Sequence, residues 1–331
     1  MKLGKKPKIA MFWAAACGGC EISLANIHEV LIDVDNNFEL VFCPCLVDGK
    51  YEDIKNMADG EILLTFFNGA IRNTENEEIA HLLRKKSTLL VAYGACAKDG
   101  GVVSLANLHK REDFIKNIYL ENPSIDNPFG VSPRPETEMP EGVLHIPTLY
   151  DTTKTLAQTV DVDYFMPGCP PEPDQLIAVV KYILSGQPLP PKGSVIGAGN
   201  STVCEECKRE KTDKKVKKLY RNYEIIPEPK VCLLEQGLVC MGVATRSGCG
   251  GLCPDVNMPC TGCYGAPAGV KDQGAKMVSA LGSIIDVDDL KEADEEQIND
   301  RIQSVLSDIP DFTGQFYKYS LANSLVNRSR K

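Results

Sequence analysis

Six of the fourteen cysteines in this 331-residue chain are paired as C-x-x-C: Cys17-Gly-Gly-Cys20, Cys204-Glu-Glu-Cys207 and Cys260-Thr-Gly-Cys263. No other feature limits so sharply what the chain can fold into. Thiols at this density are committed either to disulfides or to metal, and the compartment decides between them. Lys5, Lys6 and Lys8, then Ile9 to Ala16 and Cys17, imitate a basic, apolar, lipidated leader. That apolar run sits at the short limit for a signal peptide. Without an export signal, the cysteines predict metal ligation in a cytoplasmic protein.

Spacing sorts twelve of the fourteen into three sets. The first is dispersed: Cys17 and Cys20, Cys96 in Gly94-Ala95-Cys96, and Cys169 in Pro167-Gly168-Cys169-Pro170-Pro171. Each member follows a predicted strand, so all four belong to loops at the carboxyl ends of parallel strands, where open α/β sheets hold their ligands. Glycines beside them allow backbone N–H groups to approach sulfur. A dispersed four-thiolate site suits a [4Fe-4S] cube better than structural zinc, which favours two tight knuckles. The other two sets are compact: Cys204, Cys207, Cys232 and Cys240, then Cys249, Cys253, Cys260 and Cys263. Order along the chain defines this division, so Cys240 and Cys249 are open to exchange. Cys43 and Cys45 follow the second strand and could approach the first set, but are read as non-ligand thiols, cysteine being a residue often buried without further cause. His28, His81, His109 and His145 adjoin no cysteine motif and are read as structural or surface residues.

The first half alternates strands and helices. Strands are predicted at Ile9 to Trp13, Leu40 to Phe42, Ile62 to Phe67, Leu89 to Tyr93 and Tyr164 to Met166. Helices are predicted at Glu21 to Ile32, Tyr51 to Met57, Glu75 to Lys86 and Asp174 to Leu184, the last entered through prolines. This alternation indicates an α/β, doubly wound parallel sheet over residues 1–190. Six prolines between Asn122 and Pro147 mark an ordered surface excursion. Residues 191–285 form a cysteine-rich, mostly irregular domain, expected to be held by its metal centres because its apolar patterning is poor. Residues 286–331 read as a docking tail, with solvated faces.

Other classes are excluded by composition. A net charge of -9 gives no footprint for nucleic acid. No run approaches the roughly 20 apolar residues of a membrane-spanning helix. The basic stretch Lys208 to Arg221 is read as a solvated loop, with docking of an acidic electron carrier as the alternative. A zinc-stabilised interaction module is the rival from another functional class.

The ordered series C-G-G-C, G-A-C, P-G-C-P-P, C-x2-C and C-x2-C resembles the small subunit of [NiFe] hydrogenases from Trp13 to about Ala268. The resemblance implies a flavodoxin-like first domain and three [4Fe-4S] clusters. Cys17, Cys20, Cys96 and Cys169 would hold the proximal cluster, facing the Ni-Fe centre of a separate large subunit. Cys249, Cys253, Cys260 and Cys263 would hold the medial cluster, and Cys204, Cys207, Cys232 and Cys240 the distal one. Periplasmic relatives use a histidine as first distal ligand and three cysteines at the medial site. Here Cys204 and a fourth cysteine replace them. A twin-arginine leader and a membrane anchor are also lacking. These departures make the chain most similar to the cytoplasmic group of methanogens, whose branch that does not reduce coenzyme F420 passes electrons through an iron-sulfur subunit to heterodisulfide reductase. The F420-reducing paralogue and the sulfhydrogenases are the nearest alternatives. A quinone-reductase subunit shares the first domain but lacks the eight C-terminal cysteines. In Asn68-Gly69-Ala70-Ile71 an asparagine stands where many relatives carry glutamate, so that carboxylate's role does not transfer. Glu21 is a candidate neighbour of the proximal site. The chain lacks the large subunit's nickel-binding motifs, so it is not catalytic alone, and the apolar surface near Cys17 is the expected large-subunit contact.

Overall fold

The computed structural model describes residues 6–290 and 294–326. Its first part is built on apolar strands too continuous to leave a face in water, such as Leu89-Leu90-Val91-Ala92-Tyr93. Runs of this kind belong to parallel sheets covered on both faces. In chain order the elements are β1 (Lys8–Trp13), α1 (Gly19–Ala25), α2 (Val30–Asn37), β2 (Glu39–Phe42), α3 (Tyr51–Asn56), β3 (Ile62–Asn68), β4 (Ile71–Asn73), α4 (Thr74–Lys86), β5 (Ser87–Tyr93), α5 (Gly94–Asp99) and α6 (Arg111–Lys116). There follow β6 (Glu136–Met139), β7 (Gly142–His145), β8 (Leu149–Lys154), β9 (Tyr164–Met166), α7 (Pro173–Leu184) and β10 (Ser194–Val195).

Six strands form one sheet in the order β10-β9-β5-β3-β1-β2, each neighbouring pair parallel. With β5 and β9 counted as the fourth and fifth strands, this is the flavodoxin-like order, and it reverses between β1 and β3. One face packs Phe12, Phe42, Phe67 and Leu90 against Ile54 of α3 and Ile79 and Leu83 of α4. The other packs Met11, Leu64 and Val91 against Ile27 and against Leu176 and Val180 of α7. Helix α4 has Asn73 as its cap, the side chain accepting from Asn76 N at 2.8 Å. Glu75 and Glu77 in its first turn and Arg84, Lys85 and Lys86 in its last complement the helix dipole.

The expected helix from Glu21 to Ile32 is two helices. Between α1 and α2, His28 takes a left-handed backbone with φ of 54°. The break turns Ile27 fully into the core and leaves Ile22 exposed, so packing of Ile27 overrides the apolar spacing that suggested continuity. The proline-rich excursion contains the antiparallel pair β6 and β7, whose residues are all exposed.

The cysteine-rich part contains the short α8 (Val203–Glu206) and α9 (Leu252–Asp255), then α10 (Gln273–Ile284), α11 (Glu295–Leu306) and α12 (Phe312–Phe316). Irregular as it is, it has an apolar core of its own. Val203, Met241 and Ala244 meet Met277 and Leu281 of α10, while Val305, Ile309 and Phe316 come from the segment expected as a tail. Residues 291–293 and 327–331 of that expected tail lie outside the described residues. The segment also closes against the first part. Gly101 N donates to Tyr319 O at 3.0 Å, Gln158 Nε2 to Ala322 O at 2.8 Å and Asn323 Nδ2 to Asp99 Oδ1 at 3.1 Å. Leu325 N reaches Asp272 Oδ2 on the other side at 2.8 Å. Among the described residues no helix is long and apolar enough to cross a membrane.

Candidate metal centres

The loops leaving β1, β5 and β9 bring Cys17, Cys20, Cys96 and Cys169 to one end of the sheet. Beyond Trp13 the chain stays tied to β3 and its exit, Ala14 N donating to Asn68 O at 2.8 Å and Ala15 bridging to Ala70. This places Cys17 at the surface and Cys20, at the head of α1, in the interior. Ala95 N donates to Gly168 O at 2.7 Å, fixing the start of α5 against the Cys169 loop, so that Cys20 and Cys96, expected on loops, stand instead in the first turns of α1 and α5. Two glycines make the packing possible. A Cβ on Gly94, at φ of 84°, would stand 2.5 Å from Cys20 Sγ, and one on Gly101 would stand 2.4 Å from Cys96 Sγ. Only glycine lets the backbone run this close to sulfur.

Burial pushes the Cys20, Cys96 and Cys169 thiols up, Cys96 to about 12, and the other thiols of the same set push further. The four are therefore within electrostatic reach of one another. Glu21 adds to the effect on Cys20 and Cys96. Its two carboxylate oxygens accept from Asn68 Nδ2 at 2.8 and 2.9 Å, so the asparagine at the end of β3 orients a carboxylate contributed by α1. Asn68 Oδ1 is buried and has no hydrogen-bond partner. Cys43 is buried and Cys45 exposed on the loop after β2, and backbone N–H groups of Cys45 and Leu46 face the Cys43 sulfur.

Cys204, Cys207, Cys232 and Cys240 line one small, apolar cavity with Val203, Leu233 and Pro254. Burial, then Cys240, pushes Cys204 up to about 12, against the nearby Lys211 ammonium. In the third group, burial and then Cys249 push Cys263 up to about 12, with Cys253 adding to the effect. The structure thus puts Cys240 beside Cys204, Cys207 and Cys232, and Cys249 beside Cys253 and Cys263. Cys260 lies between groups: its N–H donates to Cys240 Sγ at 3.3 Å, and its own thiol, raised first by burial, feels Cys240 and then Cys263. A corresponding link joins the first and third groups, where the Cys169 N–H faces the Cys263 sulfur. The three groups stand in series, joined by a backbone donor at each step.

Sequence reasoning missed the residues that brace this series. Tyr264 is buried beside Cys263, donating to Gln175 Oε1 at 2.7 Å and accepting from Glu172 N at 3.0 Å, which locks the third group to the start of α7. Its position next to a C-x-x-C pair was a usable signal. Tyr319 lies within reach of Cys169, Cys263 and Cys253, yet nothing in the local sequence marks it. Glu206, inside the second C-x-x-C, accepts from Gly248 N at 2.9 Å and Gly250 N at 3.1 Å, the residues flanking Cys249.

This donor chemistry fits iron-sulfur clusters, which are held by four thiolates each and tuned by N–H groups aimed at sulfur. Among the described residues no three His, Cys, Asp or Glu side chains converge tightly enough to hold a single metal ion.

A family model described as NADH ubiquinone oxidoreductase, 20 kDa subunit, matches residues 17–183 and ends before the eight C-terminal cysteines. Several relatives span both parts. The iron-sulfur subunit of the F420-non-reducing hydrogenase of Archaeoglobus profundus is 38% identical, with 97% of this chain and 98% of that protein covered. A subunit of the F420-non-reducing hydrogenase of Methanothermobacter marburgensis is 36% identical, covering 98% of this chain and 97% of that one. A chain of the [NiFeSe] hydrogenase of Desulfovibrio vulgaris Hildenborough superposes with a TM-score of 0.50 at 15% identity over 79% of this chain and 94% of that one, a likeness of fold.

Proposed function

The chain belongs to the hydrogenase small-subunit family, and from that premise we propose that it conducts electrons released from H2 at the Ni-Fe site of a large subunit through three [4Fe-4S] clusters toward a heterodisulfide reductase complex. What supports this reading is the serial placement of the thiols, Cys169 facing Cys263 at one step and the Cys260 N–H donating to Cys240 Sγ at the next. Cys17, Cys20, Cys96 and Cys169 are assigned to the proximal cluster, Cys249, Cys253, Cys260 and Cys263 to the medial one, and Cys204, Cys207, Cys232 and Cys240 to the distal one.

A cluster bound at such a site supplies one-electron storage and transfer, at a potential set by charge, burial and hydrogen bonds to sulfur. The chain's own contribution is the rest. Gly94 and Gly101 admit sulfur beside backbone, Tyr264 ties the third group to Glu172 and Gln175 while Tyr319 bonds Thr261, and the Cys169 and Cys260 N–H groups stabilise the sulfurs they face. Trp13 and Ile22 are exposed beside Cys17 and are the proposed apolar contact for the large subunit, without which the chain has no activity on H2. The division into residues 1–190, 191–285 and 286–331, the last now read as a latch between the other two rather than as a docking tail, and the cytoplasmic location belong to the same proposal.

Anaerobic purification followed by iron, sulfide, zinc and nickel analysis tests it. About twelve iron and twelve sulfide per chain, four of each for every four-thiolate group, are expected, with nickel on the accompanying subunit. About four iron would discard the two C-terminal sites, and zinc without sulfide would overturn electron transfer altogether.

A further inference from the structure

The loop between Cys207 and Cys232 is built in two layers. Its base is fixed to the wall of the Cys204 cavity. The buried Arg209 guanidinium donates to Pro254 O at 2.8 and 3.0 Å, to Glu228 O at 2.9 Å and to Val231 O at 3.0 Å. Glu210 N donates to Lys230 O at 2.7 Å, and Cys232 N returns to Glu210 O at 2.8 Å. Lys211 Nζ donates to Cys204 O at 3.0 Å. So many hydrogen bonds to one short base make a rigid platform over the cavity.

The outer layer has a different character. Residues 208–230 carry nine Lys and Arg against four Asp and Glu, five positive charges net in a chain whose total is -9. Lys208 and Lys217 are paired with Asp255, Asp286 and Asp289. Lys211, Lys214, Lys215, Lys218, Arg221 and Lys230 are exposed and form no ion pair with a carboxylate among the described residues. Among these cations Tyr223 is 86% and Ile226 96% exposed. Tyr223 also borders a cleft of about 260 Å³ that includes Val239, Pro259 and Thr261, the neighbours of Cys240 and Cys260. Exposed apolar side chains on a loop with a net excess of positive charge suit protein docking, the charge steering a partner and the apolar side chains holding it.

We infer that this loop is the dock for the electron acceptor, and that the acceptor is an acidic electron-carrier protein whose carboxylates meet Lys214, Lys218 and Lys230 while an apolar patch covers Tyr223 and Ile226. The inference rests on the proposed electron-carrying role and adds where the electrons leave and what takes them. A partner so seated lies against the wall of the Cys204, Cys207, Cys232 and Cys240 cavity. For each H2 split, two protons are released and two oxidised one-electron acceptors are reduced.

The test uses the purified complex with its large subunit and an acidic ferredoxin as probe. Ferredoxin binding is measured directly by fluorescence anisotropy, and its reduction under H2 is followed optically, from about 0.05 to about 0.5 M salt, a range over which screening becomes strong. The wild type is expected to bind and reduce the ferredoxin, with affinity falling steeply as salt rises. Lys214→Glu/Lys218→Glu/Lys230→Glu is expected to weaken binding at low salt by at least about tenfold. Tyr223→Ala/Ile226→Ser should weaken it while keeping the salt dependence. Iron content and exchange of H2 with deuterated water should stay at wild-type values in both variants. Equal binding by the charge-reversed variant, indifference to salt, or no binding of ferredoxin by a wild type that exchanges H2 normally would overturn the dock. Loss of exchange and of iron in the wild type would instead overturn the electron-carrying role beneath it.

Discussion

Replacing Gly94 by alanine probes the first thiol group at its tightest point. The new Cβ would stand 2.5 Å from Cys20 Sγ, whereas ordinary contacts are roughly 3.5 to 4.0 Å, so the sulfur must retreat by about 1 Å or more. Cys20 is buried at the head of α1, where retreat means moving the helix start as well. The backbone adds a second cost, since φ at Gly94 is 84°, and a left-handed L-residue costs roughly 1 to 2 kcal/mol. Gly130 separates the two effects: it is also left-handed, at φ of 60°, but nothing lies within 4 Å of its ideal Cβ. Both alanine variants should lose about 2 to 4 °C in melting temperature from backbone strain. Only Gly94→Ala should also lose one centre, with iron falling from about twelve to about eight per chain. Iron analysis and electron paramagnetic resonance of the reduced protein read this out. Full iron and an unaltered proximal signal in Gly94→Ala, or equal iron loss in Gly130→Ala, would refute the reasoning.

Three further outcomes are expected. Asp163 is buried, which by itself disfavours its charge. Lys192 at 2.5 Å, Arg84 at 2.6 Å and the Leu90 N–H at 2.8 Å outweigh burial and hold its carboxyl below the usual range. Its stabilisation is therefore complete above the unfolded value near 4 and is lost as pH falls through the lower folded value. Asp163→Asn should cost about 2 kcal/mol at neutral pH by urea denaturation, and the difference from wild type should shrink in acid. Because Cys96, Cys204 and Cys263 are pushed up to about 12, loading the iron-free chain with iron and sulfide should release protons into weakly buffered medium and proceed less completely as pH is lowered. Ile22→Lys, on the exposed face beside Cys17, should abolish co-purification of the large subunit while iron per chain stays constant. An intact complex would move the interface elsewhere.

The parallel sheet was legible because each of its first five strands is an apolar run, and three of them end in glycine and cysteine, so strand and loop chemistry announce one another. The short β4, β6, β8 and β10 were not: Glu136-Thr137-Glu138-Met139 and Leu149-Tyr150-Asp151-Thr152-Thr153-Lys154 carry no strict alternation, β6 pairing only with the neighbouring β7 and β8 with the distant β4. Spacing brought Cys204, Cys207, Cys232 and Cys240 to one cavity as expected, but it gave no sign that Cys260 would lie against Cys240 or Cys169 against Cys263. That arrangement depends on the Cys169 N–H facing the Cys263 sulfur and on Tyr319 bonding Thr261, contacts across long stretches of sequence. The core of the cysteine-rich part was hidden for the same reason, because Val203, Met277 and Phe316 become neighbours only after the chain has returned upon itself.

The segment from Val305 to Leu325 holds the two parts together, bonded to Asp99, Gly101 and Gln158 on one side and to Asp272 on the other. During synthesis these residues leave the ribosome after everything they fasten. Each nascent chain therefore passes through an interval in which all fourteen cysteines have been translated while the closing contacts have not yet formed. Cys20, Cys43 and Cys260, buried in the finished fold, are therefore open to solvent for longer than the order of their synthesis alone would leave them.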